Sequence, residues 1–319
     1  MTWSDVALLF SQTHRDLIAD TPIGLIDCGA RGDIPEPWST YAQQFPELMR
    51  VLGFEADATE AAHLNNRYGE QRRYLPAAAW NSVGTHALYI TDPPQASSLF
   101  PPNTALTHLH ARVGDMRQSL PAGRVVQRTI EVPTTTIDAA IAAYPLDADV
   151  LKIDTQGAEY EVLEGARAAL RDSVFAVIAE TWTTDVYQGV KPTWEVMRLM
   201  ADMDFAFMTH DVAGYARRSF MDTKTFSYIQ REQIISLELL FFRSTKAVVT
   251  TAAEPANVYK AVGIADVLGF PDYGVELLHM LLTRWPNELA NVKYCYDEMT
   301  ARRTKTGATL AALYPPLHS

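Results

Sequence analysis

The chain has 319 residues, 48% of them hydrophobic and 20% charged, enough apolar material for a full core and a second, smaller unit. Its formal net charge of −11 excludes the basic face expected of a nucleic-acid binder and disfavours electrostatic attachment to anionic membranes. The first twenty residues carry no basic region followed by a long apolar run, so no signal peptide is expected.

In chain order, residues 3–19 read as an amphipathic helix. GLIDCG (24–29) and RVLGFEAD (50–57) are short apolar runs with strand character, separated by PEPWSTYAQQF (35–45), a helix with prolines in its first turn. ATEAAHLNNRY (58–68) predicts the next helix and RRYLPAAAW (72–80) a third strand. This alternation is the signature of a parallel sheet covered on both faces. Residues 84–135 break it: THALYIT and RVVQRTIEV alternate like half-exposed strands around a loop rich in Pro and Ser, as an insertion carrying a hairpin or flap would. Within it, His108 and His110 are two apart, but no cysteine or third partner has metal-ligand spacing.

The alternation then resumes through TIDAAIAAY, DVLKID, AEYEVLEGARAAL, SVFAVIAET and TWEVMRLMADM. DFAFMTH (204–210) and QIISLELLFFR (233–243) close the sheet. The apolar stretch 234–242 within the last strand is too short for a membrane span and contains Glu238. From about 250 only helical spacing remains. The expected organisation is an N-terminal helix over 1–22, a Rossmann-like domain over 23–246 and a helical extension over 250–319, whose apolar helices could serve a homodimer. Cys28 and Cys295 are too far apart in sequence to read as a disulfide framework, so the cytoplasm is the expected location.

LIDCGARGD sets Asp27, Gly29 and Gly32 as D-x-G-x-x-G at a strand end. A dinucleotide site wants glycine first, so that the pyrophosphate can approach the backbone. A carboxylate there repels phosphate and attracts an ammonium or sulfonium. The implied ligand is S-adenosylmethionine. Glu55 ends the second strand about twenty residues on, where an acid hydrogen-bonds a ribose diol. The alternative is a plain turn with a solvated strand-end acid.

The strand VLKID ends on Asp154, and in an open α/β sheet ligands bind outside the carboxyl ends of the strands. Gly157 permits a sharp turn into a helix expected over 158–170. Glu159 and Glu161 fall in its first turn, where the helix dipole favours acids, so Glu159 could be a helix-end acid and nothing more.

The run LKIDTQGAEYEVLEGA, together with LIDCGARGD, GFEAD, TTTIDAAI and the E-(x)6-Y of ETWTTDVY (180–187), resembles the signature of FkbM-type S-adenosylmethionine-dependent methyltransferases. The resemblance spans about residues 23 to 243. It departs from the commonest pattern at Ala56, where many relatives carry proline. It implies a class I methyltransferase fold: a mostly parallel seven-stranded α/β sheet with helices on both faces. It also implies methylation of a hydroxyl, on a sugar, glycan or sugar-containing metabolite. Asp27, Gly29, Ala30, Arg31, Gly32, Glu55, Ala56, Ala79, Asp154 and Gln156 are then expected around the cofactor.

An alcohol is a poor nucleophile near neutral pH, so a base or a metal must assist its deprotonation. Asp154 and Glu180, both at strand ends, are the expected catalytic pair: Asp154 near the methionine moiety or the acceptor hydroxyl, Glu180 as base or orienting group. Lys152 lies deeper on the same face and is expected to snorkel or to pair with an acid, not to do chemistry. A divalent cation between the two carboxylates is the alternative, and the metal-free site is favoured. Trp182 and Tyr187 could form an aromatic platform for a sugar ring or stand as core residues. A non-catalytic S-adenosylmethionine-binding module and a nicotinamide-dependent oxidoreductase are the competing functions, the second disfavoured by Asp27.

Overall fold

The computed structural model describes residues 12–107, 110–111, 124–217 and 232–310. Residues 3–11 of the expected first helix, residues 311–319 of the extension, and His108 lie outside the described residues. Among these, the strands are β1 (Ile23–Cys28), β2 (Met49–Phe54), β3 (Arg72–Leu75), β4 (Ala78–Ala79), β5 (Gly84–Asp92), β6 (His110–Ala111), β7 (Val125–Thr135), β8 (Ala148–Ile153), β9 (Ala176–Trp182), β10 (Phe205–Arg217) and β11 (Gln233–Arg243).

The larger sheet runs β3-β2-β1-β8-β9-β11-β10, with the two-residue β6 paired at the β10 edge. The pairs β2–β3, β1–β8 and β8–β9 are parallel, whereas β11 is antiparallel to β9 and β10. All six residues of β1 and five of six in β8 are buried, as expected of apolar runs covered on both faces. The chain builds outward from β1 to β3 and returns at β8 on the opposite side of β1. Strand order therefore reverses between β1 and β8, the crevice where open α/β sheets bind ligands.

The expected third strand splits in two. Pro76 has no N–H to give a ladder, so β3 ends at Leu75, and β4 joins a separate three-stranded sheet of order β4-β7-β5. In that sheet β5 and β7 pair antiparallel from Gly84↔Thr134 to Asp92↔Val125, the hairpin expected of the insertion.

The single helix expected over 158–170 is also two, Glu159–Glu164 and Arg167–Asp172. A Cβ on Gly165 would stand 2.1 Å from the Trp80 carbonyl oxygen, so the backbone approaches more closely there than any larger residue allows. The second helix is capped from a distance: the Asp138 carboxylate accepts from Ala168 N at 2.9 Å and Ala169 N at 3.0 Å.

Two compact units result, one of Gly24–Asp33 with Val51–Arg243, the other of Met1–Ile23, Ile34–Arg50 and Ser244–Ser319. The second unit contains helices Gln12–Ile18, Trp38–Gln44, Thr245–Thr251, Pro255–Val267, Pro271–Arg284 and Leu289–Leu310. Pro255–Val267 is buried on nearly every side, including Lys260, consistent with its all-round apolar sequence. Arg284 closes this unit by donating to the carbonyls of Val249 and Thr250, at 2.5 and 2.9 Å. Among the described residues, no helix is long and apolar enough to cross a membrane.

Asp138→Ala removes both bonds of the remote cap and is expected to cost about 1–2 kcal/mol of stability. A lower midpoint in urea unfolding, with an unchanged slope, checks it.

Candidate functional site

The turn after β1 is built for close approach. Gly29 N and Ala30 N both donate to Phe54 O at 3.1 Å, and Arg31 N donates to Gly29 O at 2.8 Å. Gly29 (φ +84°) and Gly32 (φ +95°) are left-handed, but their surroundings differ. A Cβ on Gly29 would fall 2.0 Å from the Asp154 carbonyl oxygen, while nothing lies within 4 Å of one on Gly32. Asp154 N in turn donates to Cys28 O at 3.0 Å, so the loops after β1 and β8 are joined backbone to backbone. Asp33, just past Gly32, accepts from Arg72 Nη1 at 2.6 Å and ties the turn to β3.

Asp27 and Lys152 are register partners across β1 and β8. The Lys152 ammonium stands 3.6 Å from Asp27 Oδ1 and 3.5 Å from Asp154 Oδ2. Asp27 is buried, and its Oδ1 has no hydrogen-bond partner, only that ammonium. Burial pushes the Asp27 carboxyl up, Lys152 pulls it back, and Asp154 adds to the push. For Lys152 burial opposes the charge, but the two carboxylates outweigh it and hold the ammonium above its ordinary pKa.

From Asp154 the polar chain continues. Gln156 Nε2 donates to Asp154 Oδ1 at 2.8 Å and to Glu180 Oε2 at 2.6 Å, and Tyr187 OH donates to Gln156 Oε1 at 2.7 Å. Burial raises the Glu180 pKa, with the charges of Asp154 and Glu159 adding and Arg124 opposing. Across the sheet, Glu238 of β11 is the register partner of Glu180.

Glu159 serves the loop. Its Oε1 accepts from Thr155 N and Oγ1, both at 3.1 Å, and from Gly157 N at 3.0 Å. It is buried, and its carboxyl is pushed up to about 7, chiefly by desolvation.

Glu55 lies buried past the end of β2, its Oε1 accepting from Asp57 N at 2.7 Å. Asp57 caps the helix Ala58–Tyr68 through Thr59 N and Glu60 N and stands 3.9 Å from Arg31 Nη2. Ala56 is half-buried between the two acids.

The structure thus brings Asp27, Lys152, Asp154, Gln156 and Glu180 into one connected row, with Gly29, Ala30 and Arg31 in the turn that follows β1 and Glu55 next to Phe54, whose carbonyl accepts from that turn. It places Ala79 in the apolar core of this unit, on β4, and not in that row. Trp182 and Tyr187 are 2% and 0% exposed and meet edge to face at 5.4 Å. They stand as core residues, and burial removes the platform reading for both rings as placed here. Sequence reasoning missed the clamp at Gln156 and its anchor on Tyr187.

S-adenosylmethionine fits what is present. A buried carboxylate oxygen without a hydrogen-bond donor at the β1 end suits an ammonium, and open space beside Gly32 leaves the turn accessible. The second oxygen of Glu55, outside its bond to Asp57, suits a ribose hydroxyl. Among the described residues no group of three or more His, Cys, Asp or Glu is placed to hold a metal ion.

The family model described as methyltransferase FkbM domain matches residues 27–209, more than half of the chain and all of the row above. The chain belongs to the FkbM methyltransferase family. Solved structures similar to it include an FkbM methyltransferase from Methylobacillus flagellatus KT, at 13% identity and a TM-score of 0.34 over 68% of this chain and 43% of that one. The magnesium protoporphyrin IX methyltransferase of Synechocystis PCC 6803 with bound S-adenosylmethionine is similar at 11% identity and a TM-score of 0.32, over 76% of this chain and 80% of that one. A third is a putative RNA methyltransferase from Pyrococcus horikoshii, at 10% identity and a TM-score of 0.27, over 76% and 81% of the two chains. This chain therefore spans less than half the length of the Methylobacillus protein. Among curated proteins nothing matches. The family model, not these distant likenesses, decides membership.

Gly29→Ala forces a methyl against the Asp154 carbonyl as well as an unfavourable φ, and is expected to cost about 2–4 kcal/mol. Gly32→Ala, with open space, is expected to cost about 1 kcal/mol, and thermal unfolding of the two variants compares them. Glu159 sets a pH dependence. Its folded pKa of about 7 exceeds the ordinary 4.5, so the folded protein holds that proton more tightly and stability falls as pH rises through that window. Glu159→Gln keeps an acceptor oxygen and removes the titration. It is expected to flatten the fall by roughly 3 kcal/mol, read by urea unfolding on either side of the window.

Proposed function

We propose that this chain is an S-adenosylmethionine-dependent O-methyltransferase whose acceptor is a hydroxyl of a sugar, glycan or sugar-containing metabolite. The observation that carries the reading is the pair Asp154 and Glu180, held side by side by one amide at the carboxyl ends of β8 and β9, next to Asp27. In this reading Asp27 receives the cationic amino-acid end of the cofactor and Glu55 its ribose, while Gly29, Ala30, Arg31, Gly32 and Ala56 shape the surrounding turns.

When bound, S-adenosylmethionine supplies an electrophilic methyl group. The chain's own part is to orient an acceptor oxygen and take its proton. Orientation alone can lower such a barrier by roughly 7–11 kcal/mol. Asp154, with its side chain 42% exposed, is open to an acceptor hydroxyl. Glu180 is the base: desolvation raises its proton affinity toward neutrality, where it can accept a hydroxyl proton and release it to water. Lys152 offsets the burial of Asp27 with its own charge and stands within reach of Asp154 as well.

The reading places the protein in the cytoplasm, in keeping with Cys28 and Cys295 as buried thiols outside any disulfide. It includes a homodimer through the C-terminal helices, where Leu289, Tyr294 and Tyr296 are exposed.

Calorimetric titration with S-adenosylhomocysteine, using NAD as control, is expected to show binding of the first alone. Asp27→Asn and Glu55→Ala are each expected to weaken that binding by about 1–3 kcal/mol. Glu180→Gln is expected to bind the demethylated product normally and to lose transfer of labelled methyl to a panel of sugars and glycosides. Unchanged affinity in both Asp27→Asn and Glu55→Ala would sink the placement of the cofactor.

A further inference from the structure

Gln156 was expected among the cofactor ligands, yet its side chain is fully engaged elsewhere. Its single amide nitrogen reaches both carboxylates, and its amide oxygen receives the Tyr187 hydroxyl. The carboxylates decide the amide's orientation. Turned over, Oε1 would face four carboxyl oxygens with at most a shared proton to meet it, whereas Nε2 has one N–H for each group. Tyr187 OH also lies 3.2 Å from Ala96 O, but its shorter bond is to Gln156.

The backbone is held with equal firmness. Gln156 has φ +57°, a left-handed conformation uncommon for a residue other than glycine, and Ser98 Oγ donates to its carbonyl at 2.7 Å. Such conformations persist where surrounding contacts over-determine them, and they cluster at functional sites. Ser98 and Ala96 belong to the insertion, whose loop is laced to the segment after β9: Asn103 N donates to Val186 O at 2.8 Å and Gln188 N to Pro101 O at 2.8 Å.

We infer that Gln156 is a positioning residue: its amide holds Asp154 and Glu180 as two separate acceptors facing one substrate hydroxyl, and Tyr187 fixes which way that amide points. The use of the two carboxylates rests on the methyltransferase reading, but the clamp does not. Adjacent carboxylates without a donor between them tend to share one proton and lose their separate roles. A donor to each favours both charged forms. The other groups acting on Glu180 are Glu159, Arg124 and Tyr187, with Glu238 beside it on β11.

The test is a carboxyl titration by NMR on the full chain labelled with carbon-13 in Asp and Glu side chains, comparing wild type, Gln156→Leu and Tyr187→Phe. Gln156→Leu is expected to raise the apparent pKa values of the Asp154–Glu180 pair by about one unit or more. Tyr187→Phe deletes one oxygen and leaves the ring in the core. It is expected to shift them in the same direction by less, and it carries the test if Gln156→Leu does not fold. Binding of S-adenosylhomocysteine is expected to stay within about twofold of wild type in both, as positioning of the acceptor side requires. Unmoved carboxyl titrations in the folded variants would overturn the inference. So would a tenfold loss of S-adenosylhomocysteine affinity with the titrations unmoved, which would return Gln156 to the cofactor shell. Failure of wild type itself to bind S-adenosylhomocysteine would strike the methyltransferase reading instead, and the titrations would still decide the clamp.

Discussion

A lysine ammonium set between two carboxylates at the point where strand order reverses is the constraint on which the rest of the site depends. Taking an ion out of water costs several kcal/mol even after relaxation, and a buried charge persists only when paired. Lys152 satisfies this for the buried Asp27 and also reaches Asp154, which is partly open to solvent. Remove it in thought, and three acids from adjacent strands, Asp27, Asp154 and Glu180, stand together with no cation on the two central strands. The parallel pairing of β1 with β8 makes the arrangement available, because it sets Asp27 directly opposite Lys152 while each strand remains otherwise apolar.

Electrostatics then divides the row by burial. At its β1 end Asp27 is nearly inaccessible and matched to a cation. At its β9 end Glu180 is kept from ionising easily by desolvation and by its acidic neighbours. One polar row therefore offers two electrostatically distinct ends, one matched to a cation and one that holds a proton more tightly than an ordinary carboxyl. That separation of environments is how acid and base roles are usually assigned among like groups.

Much of this is legible in the sequence, because strand-end positions follow from pattern alone. Asp27, Glu55, Asp154 and Glu180 each terminate an apolar run, and alternation put Lys152 on the face of Asp154. Side-chain contacts across long separations are not legible. Tyr187 meets Gln156 thirty-one residues away, and nothing in the spacing of either announces it. Local exceptions were hidden for simpler reasons. A missing N–H at Pro76 ended a strand that composition would have continued, and close approach of Gly165 to the Trp80 carbonyl broke a helix that periodicity would have kept whole. Aromatic residues just past a strand read equally well as rim or core, and only packing places Trp182 and Tyr187 inside.

The contact of Gly29 with the Asp154 carbonyl, beside the Cys28–Asp154 backbone hydrogen bond, has a bearing on how such an enzyme can change. Main chain, not side chains, fixes the spacing between the turn after β1 and the loop that bears Asp154. Side-chain substitutions around the pocket therefore leave that ruler untouched. Side chains around the two loops can drift in sequence while the spacing of the loops is inherited unchanged.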